Sequence, residues 1–168
     1  MRKIKTLSIL GLLLLTAIFS ACSSKYTVAK ENMPEEVRQK LEASLKEATA
    51  PGDIAYLKME LGDYGEAIDL YKEVLESNPT DFPALNNLAV MYEEVGEIQE
   101  ALTYEKILYT ANSLNREVIS DTIRLLIANK QFQDAQGVLQ AYAVTPSGGE
   151  DPSFISDQYQ LIYDASAQ

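Results

Sequence analysis

Catalysis and metal binding depend on a few side-chain types, and this chain of 168 residues has an unusual selection of them: 25 Asp and Glu, ten Tyr, a single Cys, and no His or Trp. Without histidine there is no Ser/His/Asp or Cys/His pair, no imidazole base and no His-containing zinc site. The single cysteine, Cys22, excludes an intramolecular disulfide and four-cysteine zinc or iron–sulfur ligation within the chain. Carboxylate pairs of the kind used in glycoside hydrolysis are the remaining catalytic resource. So many acids generate adjacent pairs such as Glu93 and Glu94 without any design, so a glycoside hydrolase is a remote alternative. The sequence has no glycine-rich phosphate loop, calcium loop or dinucleotide fingerprint, and neither a cofactor nor a metal is expected. A formal charge of −11 also argues against nucleic acid, whose phosphates need clustered Lys and Arg. The expected activity is binding, not catalysis.

Cys22 draws its meaning from what precedes it. Arg2, Lys3 and Lys5 lead into an uncharged, mostly apolar run over 7–19, followed by Ser20 and Ala21. Basic start, short apolar core and small residues are the layout of a secretory signal. The run is well short of the roughly 20 apolar residues a spanning helix needs. Phe19, Ser20, Ala21 and Cys22 resemble the lipobox of bacterial lipoproteins, with Phe19 in place of the usual Leu. The resemblance implies a diacylglyceryl group on the Cys22 thiol and cleavage just before it. Two or three acyl chains anchor a protein stably where one does not. Loss of Arg2, Lys3 and Lys5 with the signal takes the formal charge from −11 to −14, so acyl chains, not attraction to anionic head groups, would hold the protein at the membrane. Ser23, where the family's sorting signal would place Asp, implies the periplasmic side of an outer membrane if the organism has one, and otherwise the outer face of the plasma membrane.

The body of the chain is periodic. Ala67, Ala101 and Ala135 stand 34 residues apart, each preceded by an acid (Glu66, Glu100, Asp134) and, three residues earlier, by a bulky side chain (Tyr64, Ile98, Phe132). Gly62, Gly96 and Lys130 open the three copies. Such columns resemble the tetratricopeptide repeat, over about residues 48–146, with Lys58 and Glu105 at positions that usually carry an aromatic. Independently of that likeness, Ile68, Tyr71, Val74 and Leu75 recur at helical spacing, as do Leu85, Leu88, Met91, Tyr92 and Val95. Glycine at Gly62 and Gly96 suits the left-handed residue that ends a helix.

The fold class that follows is all-α: a tetratricopeptide-type superhelix of about three antiparallel helix pairs with capping helices at both ends. The expected organisation is a signal peptide at 1–21, a lipidated flexible tether at 22–33, a capping helix at 34–50, repeats at 51–146, and a hinge with a C-terminal capping helix at 147–168. Val37, Leu41 and Leu45 form the apolar stripe of the first cap, and Phe154, Ile155, Tyr159 and Ile162 that of the last, which is expected to pack on the third pair.

In a stack of this kind the first helix of each pair lines the concave face. The repeat resemblance assigns to it Tyr56, Met59 and Glu60 in the first unit, Asn86, Asn87, Val90, Glu93 and Glu94 in the second, and Ser120, Arg124 and Ile127 in the third. Asn87 falls where peptide-binding members can hydrogen-bond a ligand backbone, the other reading being a local side-chain-to-backbone bond. Arg124 is the sole base in the set, so a clamp for a peptide carboxylate is not expected. Like charge repels an acidic ligand, and the expected partner is a neutral to basic protein or peptide with apolar anchors. The reading is a membrane-tethered adaptor of the bacterial cell envelope. The alternative is a pilotin-like or structural assembly factor acting through its convex surface or self-association.

Overall fold

The computed structural model describes Tyr26, residues 33–146 and residues 151–168. The apolar run, Cys22, most of the tether and the hinge glycines Gly148 and Gly149 lie outside the described residues. The described chain is all-α, with eight helices. It divides after Leu70 into two compact units, each described below by itself.

The first unit contains α1 (Glu35–Glu47), α2 (Pro51–Leu61) and the opening turns of α3 (Tyr64–Ser77). Glu35 and Glu36 occupy the first turn of α1, where acids oppose the positive end of the helix dipole. Pro51 begins α2, at a position whose amide has no helical partner to lose. Helix α1 packs on α2 without fully burying any side chain. Leu41 and Leu45 of the expected stripe are half-buried and Val37, in the first turn, is exposed. Ala55, Tyr64, Ala67 and Ile68 are the buried apolar residues of this unit.

The second unit contains the rest of α3 together with α4 (Phe82–Glu94), α5 (Ile98–Ala111), α6 (Arg116–Ala128), α7 (Phe132–Ala143) and α8 (Pro152–Ser166). Side chains close the helix starts. The Asp81 carboxylate accepts from the Ala84 amide at 3.0 Å, Asn115 from the Glu117 amide at 2.9 Å, and Asp151 from the Phe154 amide at 3.3 Å. Consecutive helices from α4 to α8 pack in order, and α8 also reaches α6. Leu85, Leu108 and Val118 form one buried cluster, with Leu75, Tyr104 and Tyr109 packed against it. Phe154 and Ile162 anchor α8, and the Phe154 ring meets Tyr142 of α7 edge-on at 5.7 Å. The last helix thus packs on the third pair, as expected.

The 34-residue period has a direct structural counterpart. At each of its three turns two amides reach back to the preceding helix: Gly62 to the Met59 carbonyl and Asp63 to Lys58, Gly96 to Glu93 and Glu97 to Tyr92, Lys130 to Ile127 and Gln131 to Leu126, at 2.8 to 3.0 Å. This double bond pattern requires a left-handed residue at the turn. Gly62 and Gly96 supply it with φ of 88° and 80°, while Lys130 adopts φ 59° despite its side chain. Ala67, Ala101 and Ala135, the repeated alanine column, are each completely buried.

Candidate partner-binding surface

The sequence-selected residues fall on first helices of the pairs, α2 in the first unit and α4 and α6 in the second. On α2, Tyr56 is exposed while Met59 and Glu60 are half-buried. Lys58, at an aromatic position of the repeat, is held by Glu66 at 2.8 Å and Asp63 at 3.3 Å. The hydrogen bond that its ammonium donates to Glu66 is the main cause that raises the Lys58 pKa above the usual lysine value, against desolvation, with Asp63 adding to it. Lys58 therefore stitches α2 to the start of α3 through ion pairs instead of a ring.

In the second unit Arg124 of α6 binds Glu93 of α4 and also Asp121 on its own helix, the latter at 3.1 Å. Thirty-one residues separate Arg124 from Glu93, so this ion pair links α6 to α4 through their side chains, with Val90 one turn before Glu93 on α4. Val90 is 39% exposed, Ser120 and Ile127 are half-buried, and Glu94 is exposed. The pairing alters the expected electrostatics: Glu93 is neutralised by Arg124, so the acidity of this face rests on fewer groups than the sequence count implied. An Arg124 already held by two carboxylates is also a poor receptor for a third.

Asn87 forms a side-chain bond that the sequence did not anticipate. Its side-chain amide donates to the Tyr71 hydroxyl of α3 at 2.6 Å, tying successive helices together, while Asn86 is half-buried beside it. Sequence spacing could not reveal this bond, because it joins a core tyrosine to a residue sixteen positions along the chain on another helix. Tyr64 and Tyr92 are buried too, the Tyr92 ring stacking on Tyr104 at 5.7 Å. A further link, from the Gln99 amide to the Asn129 side-chain oxygen at 2.6 Å, joins the turn regions of successive pairs.

Among the described residues, Glu105 is the carboxyl that departs most strongly from an ordinary surface group. It is 3% exposed within α5, and its carboxyl oxygen lies 3.1 Å from the Thr122 hydroxyl of α6. Burial pushes its pKa from 4.5 up to about 7, the Thr122 hydroxyl opposes the rise and Asp121 adds to it. It sits in packed interior with no second acid bonded to it among the described residues. The adjacent Glu93 and Glu94 point about 100° apart around α4, as consecutive helical residues must, so they do not form an acid–base couple. Among the described residues no group of three or more His, Cys, Asp or Glu is placed to hold a metal ion, and no helix is long and apolar enough to cross a membrane.

Comparison with known proteins matches two sequence models of the tetratricopeptide repeat, over residues 52–81 and 70–103. Two TPR repeat-containing proteins of Methanocaldococcus jannaschii are similar to parts of the chain. One is 42% identical over 60 residues, which are 35% of this chain and 11% of that protein. The other is 35% identical over 72 residues, which are 42% of this chain and 22% of that protein. The uncharacterized protein ycf37 of Pyropia yezoensis is 38% identical over 64 residues, 38% of this chain and 35% of its own length. The chain therefore spans about a third or less of the length of these relatives. No solved structure matches it. With eight described helices and these matches, the fold is all-α and of tetratricopeptide-repeat type. The third unit, beyond the matched residues, has the same turn geometry at Lys130 and the same buried alanine at Ala135.

Proposed function

From a chain that carries tetratricopeptide repeats, we propose a membrane-tethered adaptor that gathers proteins of a bacterial cell envelope into a complex, held by acyl chains on Cys22 and presenting the first helices of its repeats to a polypeptide partner. The observation that carries this reading is the Arg124–Glu93 ion pair that links the first helices α4 and α6, beside which Val90 and Glu94 are open to solvent. A helical surface of mixed polarity with an exposed apolar side chain suits recognition of a chain segment better than the enclosure of a small molecule. Its residual acidity favours a neutral to basic partner. The lipid attachment rests on the sequence around Cys22, and the envelope location follows from it.

A second reading has its own support. Tyr159, Leu161 and Tyr163 of α8 are exposed, and apolar side chains so placed favour assembly through the C-terminal helix. Two experiments test the proposal. Labelled palmitate should enter the wild-type chain and not Cys22→Ser; equal labelling would overturn the tether. Neutralising the face with Glu93→Gln and Glu94→Gln together should reduce partner capture from intact cells. Capture that survives this change but is lost with Tyr159→Ser and Tyr163→Ser would favour the second reading.

A further inference from the structure

Thr122 has one hydroxyl hydrogen and two neighbours that claim it. Its oxygen lies 2.7 Å from the Val118 carbonyl, one turn back on α6, and 3.1 Å from the Glu105 carboxyl oxygen on α5. A carbonyl can only accept, so the closer contact uses the Thr122 hydrogen. The contact with Glu105 then needs a hydrogen of its own, which an ionised carboxylate lacks. With Glu105 ionised the one Thr122 hydrogen must be shared weakly between both acceptors; two full bonds require Glu105 to be a carboxylic acid that donates to the Thr122 oxygen. Both residues are buried, Glu105 at 3% exposure and Thr122 at 1%, so water is not at hand to repair a missing bond.

The surroundings give an ionised Glu105 little help. Among the elements packed against α5, α4 brings Tyr92, Glu93 and Glu94, and α6 brings Arg116, Glu117, Asp121 and Arg124. Arg124 is committed to Glu93 and Asp121, Arg116 pairs with Asp151 at 2.8 Å, and the Lys72 ammonium of α3 lies over the Tyr92 ring. Of these groups Asp121 bears on Glu105 directly, and its like charge disfavours ionisation.

We propose that Glu105 and Thr122 form a proton-held joint between the second and third helix pairs, closed when Glu105 carries its proton and loosened when it is lost. Loss of the proton leaves a buried anion beside Asp121 and makes it compete with the Val118 carbonyl for the Thr122 hydrogen. The aromatic ring usual at this point of the repeat would seal the joint at any pH; the carboxyl makes it conditional.

The sign follows from linkage. The folded chain holds the Glu105 proton more tightly than the unfolded chain, so this group's contribution to stability is complete at pH values below about 4.5 and declines as pH rises towards 7. Across that window the folding equilibrium of the wild type should fall, relative to Glu105→Gln, by a factor on the order of a hundred. Gln keeps the shape and the donor but cannot ionise.

Denaturant unfolding of the full chain between pH 4.5 and 8, wild type against Glu105→Gln, measures the difference, which cancels the pH dependence of all other acids. The Glu105 Cδ resonance, followed by carbon NMR in the unmutated chain, gives an independent reading. The proposal expects the two stability profiles to diverge with rising pH and the resonance to titrate near neutrality. Parallel profiles, or a Glu105 resonance titrating in the ordinary carboxylate range, would overturn it.

Discussion

Replacing Ala101 by Leu is the sharpest test of how the helices pack. Ala101 is completely buried at the second of the three positions of the repeated alanine column, and its equivalents Ala67 and Ala135 are equally covered. Three extra carbons at such a position have no void to enter, so they must displace Leu102-side neighbours or part the helices, at a cost of about 1–3 kcal/mol. For a chain of this size each kcal/mol lowers the thermal midpoint by about 2–4 °C, so a fall of roughly 2–12 °C is expected. Circular dichroism at the helical minimum during a thermal ramp reads it out. The control is Ala141→Leu, an exposed site on α7 six residues beyond Ala135, where the same added bulk should leave the midpoint within about 1–2 °C, as surface substitutions usually do. Equal midpoints for Ala101→Leu and the wild type would refute the close approach of helices at the alanine column.

Other predictions concern turns and caps, each measured as a change in unfolding free energy in denaturant. Gly96→Ala should destabilise by about 1 kcal/mol: nothing crowds the new methyl group, but φ of 80° is costly for any residue with a β-carbon. Lys130→Gly should act in the opposite sense, relieving a left-handed lysine by about 0.5–1 kcal/mol. Asp81→Ala removes the acceptor that closes the start of α4 and should cost about 0.5–2 kcal/mol.

Much of the frame was legible in the sequence because the repeat writes each contact three times. Gly62 and Gly96 marked left-handed turns through residue type, and Lys130 was placed at the third turn by spacing alone. Tyr71 and Tyr92, in phase along their helices, and Tyr64 and Ala67, in the 34-residue columns, are all buried. The candidate face was less legible, since its character depends on bonds between residues far apart in the chain. Periodicity sets Arg124 and Glu93 on first helices but does not say that they join, and it assigns Asn87 a direction without revealing the Tyr71 hydroxyl that receives its amide. Glu105 stood out only as an acid at an aromatic position. Its burial and its dependence on Thr122 arise from α6 closing over α5, a tertiary fact that no local pattern encodes. Val37 makes the same point from the other side: an apolar residue in phase with Leu41 and Leu45 remains exposed where packing does not reach it.

The central claim is that first-helix residues of adjacent repeats meet the partner, and site-specific photo-crosslinking in intact cells tests it most directly. A photo-reactive residue at Val90 on α4 is compared with one at Ile107 on α5, two positions of equal exposure on first and second helices. A discrete adduct with one protein from Val90, weak or absent from Ile107, is the predicted result. An adduct formed from Ile107 and not from Val90 would contradict the account.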